Sequence, residues 1–343
     1  MRVGFYDDPL FREHDAGPGH PERPERLEAL VRGLRTAGLL ERLVALPARP
    51  ATPAELLRVH TEQHLALVAS TRGRTHRFDP DTRAGPQSGE AALFAAGAVV
   101  DAVDRVLDGE LHRAFCAVRP PGHHATAGRA MGFCLFNNVA VAAAHALHRG
   151  LRRVMVVDFD VHHGNGTQDI FYADPRVLYL SSHAFPFYPG TGALDEVGEG
   201  RGRGFTVNLP MPQGLGDEAY ARVYREIVEP IGRSFDPELV LVSAGFDAHR
   251  GDPLAGMDLT RNGYAELADV CRSIAGGAAG GRVVAALEGG YSLEALAGGG
   301  AALAEGLLGE PHEPIARARA GRRDPLLDAY RSAFAPFWRA LAA

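Results

Sequence analysis

Five segments of the chain are almost wholly apolar, at 114–118, 154–157, 177–180, 239–242 and 283–287, and each gives way at its C-terminal end to polar or glycine-rich residues. Short apolar runs bounded in this way fit strands buried on both faces. Between them lie alanine-rich stretches whose apolar positions recur at helical spacing, including 139–147, 217–231 and 263–274. Short buried strands alternating with helices predict an α/β chain: a parallel sheet with helices on both faces. No boundary between two domains and no internal repeat is visible. The glycine-rich stretches 201–204 and 276–281 read as loops. The stretch 310–325 is charged and proline-bearing, and 329–342 suits a final surface helix.

Sheets of this kind bind ligands outside the carboxyl ends of their strands. The residues falling there are Arg119-Pro120-Pro121-Gly122-His123-His124, then Asp158-Phe159-Asp160-Val161-His162-His163, Ser181-Ser182-His183, Ala244-Gly245-Phe246-Asp247 and Glu288-Gly289-Gly290-Tyr291. Nearly every ionisable candidate converges on one rim.

Composition narrows the partners. With 36 basic against 42 acidic residues, the formal net charge of -6 gives no reason to expect binding to nucleic acid or to a membrane surface. Cys116, Cys134 and Cys271 have no paired spacing, which argues for a reducing compartment. No apolar run approaches the ~18 residues of a membrane span, and residues 1–8 lack a signal-peptide core. A cytoplasmic protein is expected, and a homo-oligomer stays open.

The chemistry concentrates where an apolar strand runs into Asp158, Asp160 and His162. Alternation along a strand puts these three on one side, within reach of one cation, and two carboxylates with an imidazole suit a divalent ion such as zinc. Asp247, at the end of another strand, is a carboxylate costly to desolvate without a cation or donor. It would supply a third protein ligand while leaving a position for water, the pattern of a catalytic zinc. Hydrolysis at such a site needs a base and an acid, and the adjacent His123 and His124 suit both near neutral pH. Tyr291, after two glycines that permit close approach, suits a phenol aimed at an oxyanion. His14, His60, His64, His76, His112, His145 and His148 have no such setting and read as surface or helix histidines.

Together with Gly19-His20-Pro21-Glu22-Arg23-Pro24-Glu25-Arg26 and Gly132-Phe133-Cys134-Leu135-Phe136-Asn137-Asn138, these segments resemble the zinc-dependent histone deacetylase and acetylpolyamine amidohydrolase family. The motifs follow the family's order over most of the chain. Asn137-Asn138, His163-Gly164-Asn165-Gly166-Thr167-Gln168 and Gly251-Asp252-Pro253 are more similar to the class II branch and its bacterial relatives than to class I. The resemblance implies an arginase/deacetylase α/β fold with a central, mainly parallel eight-stranded sheet and helices on both faces. It implies a single deacetylase domain over 1–343, with motifs between 19 and 291 and a tail and helix at 310–343.

The implied activity is hydrolysis of an acetamide to acetate and a free amine. Carried over position by position, Asp160, His162 and Asp247 would bind zinc, with iron(II) as the alternative metal. His124 would be general base and acid, His123 an electrostatic helper, and Tyr291 the group that polarises the acetyl carbonyl and stabilises the oxyanion. Asp158 would move from the metal to orient His123. Asn165 would hold His124 and leave it less basic than an aspartate would. The family also carries potassium: an inner site would use Asp158, the backbone of Asp160 and His162, Ser181 and Ser182, and an outer one Phe171, Asp174, Val177 and Phe205. Gly132-Phe133 and Tyr188 would wall the acetyl-lysine tunnel, and the Tyr188 hydroxyl, where many relatives carry phenylalanine, would alter preference at the rim. Arg26 would line an internal pocket that releases acetate, and Asp81 would clamp the substrate backbone.

Leu254 stands where a polyamine-selective relative carries a glutamate gatekeeper, and leucine cannot attract the second ammonium of a polyamine. Together with the lack of a long insertion between 72 and 89, this favours acetyl-lysine in a peptide or protein over an acetylated small amine. Two rivals are an arginase-like ureohydrolase and a non-catalytic acyl-lysine binding module. The first needs two manganese ions about 3.5 Å apart and more carboxylates than Asp247 and Asp252 provide. The second is disfavoured by the retained histidine pair and Tyr291.

Overall fold

A computed structural model describes residues 1–315 and 324–342 of the chain. Its strands are β1 (Val3–Tyr6), β2 (Val44–Leu46), β3 (His76–Arg77), β4 (Arg83–Ala84), β5 (Arg113–Cys116), β6 (Val154–Asp158), β7 (Val177–Ala184), β8 (Thr206–Met211), β9 (Leu239–Ala244) and β10 (Val283–Leu287). β3 and β4 form a separate antiparallel hairpin. The other eight make one sheet in the order β2-β1-β5-β10-β9-β6-β7-β8, and every neighbouring pair is parallel. The five apolar runs are β5, β6, β7, β9 and β10, and every residue of these strands is buried, as parallel strands covered on both faces require. The remaining three carry weaker signals. β1 reads Val-Gly-Phe-Tyr, β2 has three residues, and β8 interrupts its apolar positions with Asn208 and Pro210. A proline in β8 is tolerated because that strand is the sheet's edge.

The helices are α1 (Glu25–Thr36), α2 (Pro53–Leu56), α3 (Glu62–Ser70), α4 (Ser88–Leu107), α5 (Asn138–His148), α6 (Asn165–Phe171), α7 (Asp217–Val223), α8 (Glu229–Phe235), α9 (Arg261–Ile274), α10 (Leu293–Leu308) and α11 (Pro325–Phe334). α4 and α5 pack on each other and cover one face of the sheet, while α9 and α10, with α1 outside them, cover the other. The helix expected at 217–231 is α7 and α8 joined by a π turn, Tyr224–Val228. Pro230 in the first turn of α8 lacks an N–H and crowds the carbonyl four residues back, which the wider turn accommodates. No helix among the described residues is long and apolar enough to cross a membrane.

Two expectations are corrected here. The C-terminal helix is α11, which starts earlier and is packed: Leu327, Tyr330, Phe334 and Trp338 are buried. The Tyr330 hydroxyl donates to Pro210 O (2.8 Å) and Trp338 Nε1 to Gly204 O (3.0 Å). Part of the 310–325 tail lies outside the described residues. Of the histidines read as surface or helix residues, His64 and His145 do lie in α3 and α5, but His14 and His60 are in neither setting, being buried outside any helix. His60, for instance, joins two segments through Thr126 O (3.0 Å) and the Asn137 amide (2.9 Å).

The sheet order creates the site's position. The chain lays down β1, β2 and β5, jumps to β6, β7 and β8, and only later inserts β9 and β10 between the two halves. Five strand ends carrying the polar motifs therefore stand side by side, as β5-β10-β9-β6-β7, where the direction of winding changes.

Candidate active site

At the end of β6 the backbone holds the carboxylates in place. Asp160 N donates to Asp158 Oδ1 (3.2 Å), His162 N to Asp160 Oδ1 (2.9 Å), Gly289 N to Asp160 Oδ2 (2.7 Å) and Val161 N to Asp247 Oδ1 (2.9 Å). Three strand ends thus share one set of amide donors. Ligand atoms of Asp160, His162 and Asp247, all buried, lie within 4.8 Å of one another. His162 Nδ1 is 3.2 Å from Asp160 Oδ1 and 3.1 Å from Asp247 Oδ2. Glycine is required beside them: a Cβ on Gly245 would sit 2.1 Å from Asp160 Oδ2, and one on Gly289 2.2 Å from Asp247 Oδ2.

Two carboxylates in so small a buried space call for positive charge. Burial, reinforced by Asp160, pushes the Asp247 carboxyl up to about 7. Burial alone would depress His162, but its bonds to Asp160 and Asp247 outweigh it and lift the ring to about 10. An oxygen-rich triad with one imidazole fits a divalent cation such as zinc. Asp158, on the same strand face, is engaged differently, by His123 Nδ1 (3.0 Å) and the Tyr179 hydroxyl (3.2 Å) through Oδ2. The reading of three same-face metal ligands in 158–162 does not hold.

The turn after β5 is fixed from beneath by Glu288, whose Oε2 accepts from Gly122 N (2.6 Å) and His123 N (3.1 Å) while Oε1 accepts from the Ser243 hydroxyl (3.1 Å). Asn137 caps α5 through Ala140 N (3.0 Å), and its amide donates to Ala125 O (3.1 Å) and Thr167 Oγ1 (3.1 Å). The two rings of this turn lie 4.0 Å apart, centroid to centroid. Burial works against charge on His123, yet Asp158, Asp160 and Glu288 raise it to about 10. Burial, then the charge of His123 and of His162, drives His124 well below the ordinary imidazole range. Environment pushes two adjacent histidines in opposite directions, His123 toward the charged form and His124 toward the neutral one. Asn165 Oδ1 accepts from His124 Nδ1 (2.8 Å), leaving Nε2 with a lone pair. The hydrogen bond to Asn165 favours the charged ring; burial is what lowers it.

Tyr291 follows β10. Its amide and that of Ser292 donate to Asp252 Oδ2 (2.6 and 2.9 Å), and Leu254 N donates to Asp252 Oδ1 (3.0 Å), so one buried carboxylate ties the exposed Leu254 loop to the tyrosine. Behind it Arg26 is fully buried: Nε donates to Gly290 O (2.7 Å), Nη2 to Glu288 O (2.5 Å) and Nη1 to Glu22 Oε1 (2.8 Å). Its guanidinium lies 5.1 Å from the Tyr291 ring centroid. Burial keeps the phenol protonated, and so a donor, despite the opposing effect of Arg26.

Aromatic residues pack around these rings. Phe133 meets Tyr291 edge to face at 5.9 Å, Tyr188 meets His124 at 5.2 Å, and Phe187 stacks on His162 at 5.3 Å. Gly132 and Phe133 both have positive φ, +56° and +68°, in a tight turn closed by the Met131–Cys134 bridge. A Cβ on Gly132 would press to 2.4 Å from the His124 ring. Phe133 has no such exemption, and its backbone carries strain of roughly 1–2 kcal/mol. Phe133 N donates to Thr82 Oγ1 (3.1 Å), which donates to Asp81 (3.0 Å), bringing exposed Asp81 to the same rim.

Ser181 is the register partner of Asp158, and its hydroxyl meets His183 Nδ1 (2.9 Å). Ser182 alternates to the other face, where its hydroxyl meets that of Tyr224 (2.8 Å). Phe171 ends α6, Asp174 lies in the turn that follows and Val177 opens β7, linked by Asp174 N to Phe171 O (2.9 Å) and Val177 N to Asp174 O (3.3 Å), and Phe205 O accepts from Tyr179 N (2.9 Å). Sequence reasoning assigned no role to Glu288, Asp252 or Glu22, which act on main-chain groups or on other buried charges. The only signal was their position within the polar motifs.

The sequence profile of the histone deacetylase domain matches residues 20–307. A probable deacetylase of Archaeoglobus fulgidus is 43% identical over 296 residues, 86% of this chain and 82% of that protein. Histone deacetylase 15 of Arabidopsis thaliana is 45% identical, across 92% of this chain and 58% of its own length. Polyamine deacetylase HDAC10 of Mus musculus is 43% identical, across 90% and 48%. The chain thus spans most of the archaeal relative and about half the length of these two eukaryotic ones. The crystal structure of the HDA15 HD domain superposes with a TM-score of 0.92 at 40% identity, covering 100% of this chain and 98% of that one.

Proposed function

Because the chain belongs to the histone deacetylase family, we propose that it is a zinc-dependent amidohydrolase that removes the acetyl group from acetyl-lysine in peptides or proteins. The observation that carries the reading is the buried Asp160, His162 and Asp247 triad beside an electrostatically split histidine pair. Zinc, or iron(II) in its place, would be held by those three residues and when bound would polarise the acetyl carbonyl and acidify a neighbouring water.

The chain's own residues do the rest. Neutral His124 takes a proton from water at Nε2 as the water oxygen bonds to the carbonyl carbon, with the ring held through Nδ1 by Asn165. The Tyr291 hydroxyl donates to the oxygen that gains negative charge. His123, kept cationic by Asp158, stabilises the same charge from alongside. His124 then passes its proton to the departing nitrogen as the C–N bond breaks, leaving acetate and the amine. Gly132-Phe133 and Tyr188 line the path of the lysyl chain, Arg26 braces the turn that carries Tyr291, and Asp81 holds the peptide backbone at the rim. An inner potassium ion would take Asp158, the backbone of Asp160 and His162, Ser181 and Ser182. All three cysteines are buried and unpaired, which supports a cytoplasmic location.

A second reading, acetylpolyamine hydrolysis, is favoured by the likeness to HDAC10 and opposed by Leu254 at the entrance. The test is acetate release by the purified, zinc-loaded protein, with kcat/KM compared between an acetyl-lysine peptide and acetylspermidine. The peptide is expected to win. Turnover of neither by a folded, metal-loaded sample would end the deacetylase assignment, and a preference for acetylspermidine would replace the first reading by the second. Tyr291→Phe should lower kcat by roughly 10²–10³-fold with zinc content unchanged; an unaltered rate would remove Tyr291 from the mechanism.

A further inference from the structure

The β3–β4 hairpin places Arg77 directly opposite Arg83. Residues opposite one another in an antiparallel pair project from the same face, and like charges there repel. Both guanidiniums are exposed, and among the described residues neither has a carboxylate within 4 Å to offset the other's charge. Arg77 donates to main-chain oxygens, Asp79 O (3.1 Å) and Pro80 O, and Arg83 lies over Gly17. Asp79, the nearest acid in sequence, is turned toward the hairpin's own amides, Asp81 N (3.1 Å) and Thr82 N (2.6 Å). Both arginines line an open cleft of about 460 Å³, with His20, His76 and Asp81 on its walls. Two fixed positive charges and two imidazoles face a single carboxylate.

This cleft adjoins the tunnel mouth. His20 packs edge-on against Phe133 with ring centroids 4.5 Å apart, and its Nε2 lies 3.3 Å from Asp81 O. A peptide whose acetyl-lysine enters between Phe133 and Tyr188 would therefore run past Arg77 and Arg83. We propose that this arginine-paired cleft binds an anionic side chain of the substrate that flanks the acetyl-lysine. Planar guanidinium forks suit a carboxylate or a phosphate group, and the anion would relieve the repulsion between them. The inference rests on the deacetylase reading and narrows its substrate class to acidic acetyl-lysine peptides. The same cleft would repel a polyamine.

The test uses fluorescein-labelled acetyl-lysine peptides identical except for flanking glutamate, glutamine or phosphoserine, with Kd measured by stopped-flow anisotropy on the zinc-loaded protein before turnover sets in and kcat/KM measured in parallel. The glutamate peptide should bind at least about fivefold more tightly than the glutamine peptide in 0.05 M salt, and the difference should shrink in 0.5 M salt. Arg77→Gln with Arg83→Gln should abolish the difference while the melting temperature holds. The phosphoserine arm separates the two anion classes: tighter binding than glutamate assigns the cleft to phosphate, weaker to carboxylate. Equal Kd values for the glutamate and glutamine peptides on the wild type, or a preference that survives the double substitution, would overturn the inference. Because Kd is read without turnover, an inactive but peptide-binding protein would defeat the deacetylase reading alone.

Discussion

At the scale of single residues, the site works by setting neighbours apart. His123 and His124 are adjacent in sequence and share one turn, yet a carboxylate faces one and an amide the other. Replacing Asn165 by aspartate would put a negative charge against His124 Nδ1 and raise its pKa. A base must be deprotonated to act, so the acidic limb of the kcat/KM pH profile should move upward by roughly one pH unit or more in Asn165→Asp. An unmoved limb would show that another group controls it. Phe133 illustrates a different trade, in which an aromatic residue occupies a left-handed backbone position that suits glycine or asparagine. The strain is retained where the side chain lines the entrance, a pattern common at functional sites.

At the scale of elements, β10 and the Leu254 loop are joined through Asp252. Asp252→Ala would leave the Tyr291, Ser292 and Leu254 amides without their acceptor, costing about 1–3 kcal/mol for a buried donor left unpaired. Urea denaturation should register that loss, and kcat should fall by roughly tenfold while zinc content is preserved; unchanged kcat would mean that the loop does not position Tyr291. Such links explain what a sequence can and cannot disclose. β9 and β10 were legible because Leu-Val-Leu-Val and Val-Val-Ala-Ala-Leu have only one use in a parallel sheet. The candidate metal site was legible in part: carboxylates at strand ends are costly without a cation, which marked Asp158, Asp160 and Asp247, but the choice of Asp160, His162 and Asp247 came from the family resemblance. Asp252 and Glu288 were not, since a carboxylate that accepts from backbone amides leaves no pattern in spacing. Nor could burial of His14, His60 and His64 be read from residues whose imidazoles suit surface and core alike.

At the scale of the whole molecule, the buried acid cluster ties the stability of the fold to pH and, on the proposed reading, to metal binding. A carboxyl held up at about 7 is protonated in the fold at pH values where the unfolded chain has already ionised it. Its contribution to the stability of the metal-free fold is therefore present below the ordinary carboxylate range and lost as pH rises through about 7. Zinc held by Asp160, His162 and Asp247, as proposed, would relieve the same repulsion but would have to displace the Asp247 proton at low pH. The gain in melting temperature on adding zinc to chelator-treated protein should thus be larger at pH 8 than at pH 5, by roughly 2 °C or more; a gain independent of pH would contradict it. The strand order has a consequence for biosynthesis. A nascent chain that has emerged only as far as α8 possesses β5 and β6 but not the two strands that belong between them, so each presents a bare, apolar edge. Asp247 and Tyr291 are then still inside the ribosome or unmade. The two half-sheets must wait, apart and unjoined, for the last third of the polypeptide to arrive between them.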